Sequence, residues 1–563
     1  MMKTLRLIAV LIFTSNLSFG QSVAGEIYGR VTDEKKQALD YATVQAYEGG
    51  ILKGGAKTDI NGNYSIKPLS PGTYMIKVTY VGMKTEEISD IPLGNDGRRK
   101  VDVEMEKRPA ASPKGPVIVR AKKYVKPLVD PSDPGTNVMT KGDIAKAPTL
   151  GTGDLTSMLG GTYQRKQGDN NISIGGDRGS GTVYIVDGMP IRGGRNVNFP
   201  PSSIDRLELM SNGMSAKYGN ATGGIVGITT RGIQKELSGS LQAQRSVEGY
   251  SNNLVSFDLS GPLLSRKKDG SKVPVLGFMI NASATYDKDN NPYYYKYNRI
   301  KADKLKQLQE TPLVPNPDGT GNFVNASEQV TMNDFEKIKA REKGESWGVN
   351  YLGKLDFQPT EAINVTLGSY FAYNYGRGYS FTNSLFAPEA NSISKGYSAR
   401  GFLRLTQRLG KSGSQEKEGA KKSAIQNAYY SIQFTYQKDY SDGANPQHKR
   451  NTFDYGYVGN FTTHRRPGYT LDTAMGGYFG IKFVGDFSDS VTFYEGGVNP
   501  LLENYTKAIY ADKRFQVPNL SQLQAYGGLR NGDGPQSAYC LWAGGGAQIG
   551  SFAYSDADQI SLN

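Results

Sequence analysis

The sequence predicts an all-β-dominated chain in three parts. These are an N-terminal immunoglobulin-like β-sandwich, an α+β middle segment, and the first strands of an antiparallel transmembrane β-barrel. Three observations carry this. Short alternating runs separated by turn residues fill residues 22–107. After Gly232, alternating runs recur between polar turns, many of about ten residues, the length of a tilted membrane strand. Tyr (36) outnumbers Phe (21) and Trp (2), and Gly reaches 69. The apolar ring and polar tip of tyrosine suit a membrane–water interface. A mean hydropathy of −0.50 fits a soluble protein as well as a barrel that wets one face, so composition leans toward the barrel without deciding.

Residues 1–20 read as a secretory signal: Lys3 and Arg6, an apolar core over 7–13, and Ser18-Phe19-Gly20 before a cut ahead of Gln21. No Cys follows that site, which argues against a lipid anchor and for export into a bacterial envelope. No later stretch reaches the ~20 apolar residues of a membrane helix. The single cysteine, Cys540, excludes an internal disulfide framework and a thiolate metal cluster, and reads as a partly buried small side chain. The net charge of +13 is dispersed or sits in short turns such as Arg266-Lys267-Lys268 and Lys421-Lys422. Without interleaved stacking aromatics it reads as solvated surface, and nucleic acid is not expected as a partner.

In the sandwich, strands are expected at 26–31, 42–47, 64–66, 73–80 and 101–106. Asn61-Gly62 reads as a hairpin turn with φ > 0, and Pro71-Gly72 as the next turn, before the alternation of Tyr74, Ile76, Val78 and Tyr80. Asp59, Asn61 and Asn63 resemble the start of a calcium loop, but no bidentate Glu follows at the twelfth position. The only histidines, His448 and His464, stand in no zinc-peptidase spacing and read as exposed and unpaired.

From 140 to 232 the chain mixes helix and strand. Asp143 falls in the first turn of a helix starting near Thr140, and a second helix covers 153–159. A strand over 183–186 ends at Asp187-Gly188, and Met189-Pro190 stops it. Residues 204–210 alternate as a half-buried strand would. Within this part, Ile172, Ile174, Gly175 and Gly176 form an I-x-I-G-G segment, and Val186, Asp187, Gly188 and Pro190 a V-D-G-x-P turn. Tyr218, Gly219, Gly223 and Gly224 then stand in a closing stretch, YGNATGGIVGITT, after IDRLELM. In this order the motifs strongly resemble the plug domain of TonB-dependent outer-membrane receptors. The resemblance covers about sixty residues. Leu155 and Leu159 before Gly160-Gly161 match the family's helix and Gly-rich turn. The family often has Arg where Gly175 or Gly176 stands, in polar contact with the barrel wall, and Arg178 is the nearest stand-in. The pattern of 22–107 is similar to the carboxypeptidase-regulatory-like domain, which often precedes the plug in receptors of the Bacteroidetes lineage.

The resemblance implies a TonB box between these domains, in the linker 108–139. Pro116, Val117, Ile118, Val119, Arg120 and Ala121 are the candidate, and a first plug strand is the rival reading. Such a box pairs with TonB by strand addition.

Barrel strands are expected at 239–246, 253–260, 277–286, 346–357, 364–375, 397–409, 426–438 and 478–487. Connections on one side are compact or charged. The other side has an insertion of about sixty residues, 287–344, and a further one at 376–396. The Tyr293-Tyr294-Tyr295-Lys296-Tyr297 run could stack on a solute, with loop packing or an interface girdle as the favoured reading. Plugged barrels close with about 22 strands, on the order of 600 residues. Only 563 − 232 = 331 remain in 233–563, so a C-terminally truncated fragment is expected.

The function this implies is an outer-membrane receptor that imports an extracellular solute by TonB-driven plug movement, with the N-terminal domain in the periplasm. Its partners would be TonB with its inner-membrane energising complex, outer-membrane lipids and, in some such receptors, a surface lipoprotein. No catalytic residue, cofactor or metal is expected. A structural or adhesive surface protein that keeps the plug fold is the alternative. Glycan, peptide, siderophore and cobalamin all stay open as ligands.

Overall fold

A computed structural model of the chain describes residues 25–562 except 95–96, 108–121, 125–135, 148–150, 165–171, 178–180, 192–198, 200, 212–220, 233–235, 248–250, 269–270, 290–292, 320–321, 361, 381–384, 387, 410–427, 473–479 and 534–551. The signal segment 1–20, Cys540 and Pro116, Val117, Ile118, Val119, Arg120 and Ala121 therefore lie outside the described residues.

The first unit is a two-sheet sandwich. One sheet runs in the order β4 (Asn63–Leu69), β1 (Gly25–Asp33), β7 (Arg98–Lys100), with β8 (Val103–Met105) also on β1. The other runs β3 (Ile51–Lys57), β2 (Thr43–Glu48), β5 (Gly72–Thr79), β6 (Glu86–Leu93), β9 (Lys122–Lys123). Strict alternation along β1 and β5 turns Ile27, Val31, Tyr74, Ile76 and Val78 into a shared core with Val44 and Ile91. Tyr64 donates its hydroxyl to the Val101 carbonyl at 2.6 Å, so its polar tip is satisfied inside that core. Gly62 takes φ +76°, as a turn requires, but the segment is an arch between sheets, since β3 and β4 do not pair. Asp59 Oδ1 accepts from the Asn61 and Asn63 amides at 2.8 Å each, the local role of this acidic residue. Those bonds, the one from Asn63 above all, hold its carboxyl below the usual range. Strands β3 and β6 were not anticipated: ILKGGAK carries two glycines, and EEISDIPL mixes acids with a proline.

The second unit is a five-stranded sheet, β10 (Thr136–Thr140), β15 (Ile204–Met210), β16 (Gly224–Thr230), β13 (Thr182–Val186), β14 (Met189–Ile191), flanked by α1 (Lys141–Lys146) and α2 (Thr152–Ser157). A small pair, β11 (Thr162–Tyr163) and β12 (Ser173–Ile174), completes it. Thr140 caps α1 in a reciprocal box with Asp143. Met189-Pro190 does not end the strand; it begins the return arm of a hairpin with β13. Strand β15 is buried on both faces rather than one, because the first unit covers the face that carries Arg206 and Glu208.

The third unit is an antiparallel sheet of eight strands. In order they are β17 (Ser238–Arg245), β18 (Asn253–Lys268), β19 (Ser271–Asp287), β24 (Ser346–Phe357), β25 (Ile363–Arg377), β26 (Ile393–Leu409), β27 (Ala428–Ala444) and β30 (Phe552–Leu562). Its outer face is an apolar belt that includes Phe257, Val349, Leu367, Leu403 and Phe434. Near the long-loop end, Phe371, Tyr397 and Tyr440 stack across strands at 6.2 and 5.3 Å, and Trp347 stacks on Tyr375 at 5.8 Å. The inner face is polar: Asn350, Lys354 and Asp356 on β24, and Arg400, Arg404 and Arg408 on β26.

The long connections fold on one another. Between β19 and β24 stand β20 (Tyr297–Ile300), α3 (Ala302–Glu310), β21 (Leu313–Pro315), β22 (Phe323–Asn325) and β23 (Phe335–Ile338). Between β27 and β30 stand β28 (Gly459–Asp472), β29 (Gly480–Glu495), α4 (Pro500–Ala511) and α5 (Leu520–Ala525). Leu313 joins Val458, Val491, Leu502 and Ile509 in one core, and Asn504 donates to the Gln309 carbonyl at 2.7 Å. Of the expected barrel strand at 478–487, residues 480–487 belong instead to β29, which among the described residues pairs with β28 in a two-stranded ribbon and not with the wall. Alternation signals a strand, not which sheet receives it. Neither histidine is unpaired: His448 meets Asn499 at 2.6 Å and packs edge-on against Tyr455, and His464 meets Thr492 at 3.2 Å. The tyrosine run packs within and between loops, with Tyr297 against Tyr379 at 5.9 Å.

Candidate functional site: the contact between the middle unit and the wall

The middle unit lies against the inner face of the wall, and one hydrophobic core spans both. Met279, Leu352, Tyr370 and Ala372 of the wall join Val186, Ile191, Phe199 and Leu207. The Phe199 and Tyr370 rings are 5.0 Å apart. Asp187 and Gly188 take φ of +48° and +82°, the two left-handed positions of a type I′ turn, which is why an Asp-Gly pair closes the β13–β14 hairpin.

The Asp187 carboxylate is bound from both sides. Within the middle unit it accepts from the Thr230 amide at 2.9 Å and the Thr230 hydroxyl at 2.5 Å. From the wall, Lys354 Nζ lies 3.5 Å from Oδ2, and Arg404 donates to the Asp187 carbonyl. Asp187 is 6% exposed, so this clasp is shielded from bulk solvent. A cavity of about 20 Å³ beside it, lined by Met189, Phe199, Leu352 and Phe402 among others, has room for about one water. Further along, Asn281 donates to Ser202 at 3.4 Å and Arg231 pairs with Asp258 at 3.5 Å.

The I-x-I-G-G segment is a second built feature. Ile174 is fully buried, and Gly175 and Gly176 take φ of +61° and +85°. Asp177, which motif reasoning passed over, organises the turn: it accepts from the Thr222 hydroxyl at 3.0 Å, and its carbonyl accepts from Ser173. Its carboxylate fills the space where Gly181 and Gly223 have no side chain; a Cβ there would lie 1.9 and 2.6 Å from Oδ2. Gly224 leaves comparable room for Ile174.

The sequence-chosen residues are thus partly gathered. Val186, Asp187 and Gly188 stand at the wall with Pro190 in the adjoining strand, while Ile174, Gly175, Gly176, Gly223 and Gly224 form the Asp177 turn. Arg178, Tyr218 and Gly219 lie outside the described residues. The cations at the Asp187 clasp come from the wall, Lys354 and Arg404, two inward-facing residues in strands whose other face is apolar. That signal, a charge inside an otherwise membrane-like alternation, is readable from sequence. Among the described residues no group of three or more His, Cys, Asp or Glu is placed to hold a metal.

Comparison with known proteins adds the following. Residues 26–106 match the carboxypeptidase regulatory-like domain, and residues 132–225 match the TonB-dependent receptor plug domain. The ferric enterobactin receptor of Pseudomonas aeruginosa is 30% identical over 161 residues, 23% of this chain and 21% of that protein. The TonB-dependent transporter Oar of Myxococcus xanthus is 24% identical over 325 residues, 55% of this chain and 29% of that protein. Among solved structures, the siderophore receptor PirA from Acinetobacter baumannii aligns with a TM-score of 0.31 at 17% identity, over 55% of this chain and 45% of that one. The chain spans between a fifth and three tenths of the length of the curated relatives it matches.

Proposed function

For this chain, which carries the TonB-dependent receptor plug domain behind a carboxypeptidase regulatory-like domain, we propose the role of an outer-membrane receptor and transporter. It binds an extracellular solute and admits it to the periplasm when TonB moves the plug. The observation that carries this reading is the Asp187-Gly188 turn held by Lys354 and Arg404. A plug fixed to its wall by a few buried polar contacts can be released and re-seated, because each contact has two discrete states, made and broken.

In this reading the apolar belt lies in lipid and the packed long loops face outward. The short-turn end and the sandwich then face the periplasm. Residues 22–107, 108–139, 140–232 and 233–563 serve as sandwich, linker, plug and barrel portion. TonB, driven by its inner-membrane complex, grips Pro116, Val117, Ile118, Val119, Arg120 and Ala121 by strand addition. A surface lipoprotein would deliver solute to the outer loops. No covalent step is required, so this is a carrier and not an enzyme.

The test is to replace Val117, Ile118 and Val119 together with Pro, which removes three backbone donors and fixes φ. Binding to the TonB periplasmic domain and energy-dependent growth on the native nutrient mixture should both disappear. Unchanged growth and binding would refute the proposal. One observation favours an adhesive role instead: the β28–β29 ribbon exposes Tyr469, Leu471, Ile481 and Phe483. Normal growth after deletion of the gene, with surface attachment lost, would select that reading.

A further inference from the structure

The sandwich is seated on both other units. Thr73 Oγ1 donates to Asp205 Oδ2 of β15 at 2.6 Å. From the wall, Gln358 Nε2 donates to the Leu52 carbonyl at 2.9 Å, and an Arg408 guanidinium nitrogen to the Pro68 carbonyl at 2.6 Å. The backbone of Gly94 lies over the Glu208 carboxylate, where a Cβ would come within 2.2 Å of Oε1. Glu208 and its partner Arg206 are 2% and 1% exposed, so the sandwich seals the inner ion pair of β15. Glu48 reaches Gly232 at the end of β16, where a Cβ would lie 2.7 Å from its carboxylate, and it pairs with Lys53 at 3.6 Å.

The chemistry of this seam differs from that of the plug and wall. The hydrophobic core of the plug continues into the wall, whereas that of the sandwich contains sandwich residues and Tyr124 of the linker. The contacts described above that cross from the sandwich are hydrogen bonds and charges. Polar groups regain water on separation, so such a seam opens at far lower free energy than an apolar one of equal area. The load path favours opening it first. Immediately after the TonB-box candidate, Lys122–Lys123 pair in parallel with β6 and the Tyr124 amide donates to the Ser89 carbonyl at 2.9 Å. A pull on residues 116–121 therefore loads the sandwich edge before it reaches β10 of the plug.

We propose that the N-terminal sandwich is a removable periplasmic gate: seated across β15 and the ends of β24 and β26, it holds the plug closed until traction on the linker unseats it. This rests on the TonB-driven reading above. Seating and release then become two states of one polar seam, and the plug–wall clasp opens after it.

The test uses the full chain in its own envelope with Cys540→Ser, and cysteine pairs probed by a short bifunctional thiol cross-linker. Thr73→Cys with Asp205→Cys, and independently Leu52→Cys with Gln358→Cys, report seating. Ser202→Cys with Asn281→Cys reports the plug–wall contact. Both seating pairs should link in cells treated with a proton uncoupler, and their yield should fall at least about threefold in energised cells. No link at either seating pair overturns the gate. A plug–wall pair that loses yield on energisation while both seating pairs keep theirs also overturns it, with TonB-driven transport left standing. Indifference of all three pairs to energisation defeats the transport reading and the gate with it.

Discussion

Replacing Asp187 with Asn isolates the electrostatic part of the plug–wall clasp. Asn tolerates the left-handed backbone at φ +48° and still offers an oxygen to the Thr230 amide, so the turn and one internal bond persist. What disappears is the charge facing Lys354 at 3.5 Å. At an effective dielectric of ~20 that attraction is about 4.7 kcal/mol. Asp356 shares Lys354, joined to Thr366 on the same inner face, and keeps part of the cation's stabilisation. A net loss of about 2 kcal/mol is expected, a factor of roughly 30 in an opening equilibrium. Hydrogen–deuterium exchange of the full chain in detergent reads this directly. Amides of Thr182–Val186, Met189 and Ile191 should exchange roughly 30-fold faster in Asp187→Asn, while those of β1 and β5 in the sandwich stay unchanged. Equal rates for the native and variant hairpins would refute the argument that this ion pair holds the plug. So would acceleration spread evenly over all three units.

The remaining predictions are independent of that one. Gly188→Ala forces a side chain into φ +82° and within 3.1 Å of Arg404, a penalty of about 1–2 kcal/mol visible as the same local exchange. Gly181→Ala should disorder the Asp177 turn, and adding Asp177→Ala should restore part of the loss, since the nearest clash is with that carboxylate and the next with the Thr222 hydroxyl; equal single and double variants by protease nicking would contradict this. Leu367→Arg on the exposed belt should cost about 2–4 kcal/mol and lower the fraction assembled in membranes, seen on a semi-native gel. Burial raises the Glu48 carboxyl above its usual range, against the opposing pull of Lys53 and Lys354, with Asp356 and Asp205 adding to the rise. A carboxyl raised when seated binds more protons seated than free, so seating weakens as pH climbs through that raised value. Seam cross-linking should therefore decline as pH rises above the usual carboxylate range in the native chain, and Glu48→Gln should flatten the profile.

Much of the fold was legible because period and turn chemistry act locally. Asp187-Gly188 can close a hairpin wherever it lies, and Thr140 with Asp143 starts a helix regardless of what packs on it. What was hidden depends on partners distant in sequence. Alternation in 204–210 suggests one wet face, yet the second face of β15 is occupied by an Arg206–Glu208 pair that the sandwich covers through Gly94, 208 − 94 = 114 residues away. The same alternation in 478–487 marks a strand but is silent about its neighbour, which turned out to be β28 and not the wall. At the site, the motif glycines pointed to the right turns. Asp177 was missed because its meaning comes from the space opposite it, where Gly181 and Gly223 have no side chain, whereas Lys354 and Arg404 carried a signal in their own strands, a charge within an apolar alternation, that names no partner.

Strand β26 has a bearing on assembly. Arg400, Arg404 and Arg408 recur every fourth residue, opposite Tyr370, the Asp187 carbonyl and the Pro68 carbonyl in turn. Sliding this strand by a single residue would turn three guanidinium groups to the lipid face, at about 2–4 kcal/mol for one at the midplane and less toward the interfaces, and strand Leu403 and Leu405 against polar partners. In the transporter reading, misthreaded intermediates are thereby penalised as the strand enters the bilayer, so three side chains that meet the wall, the plug and the sandwich in turn also oppose a slipped register during insertion.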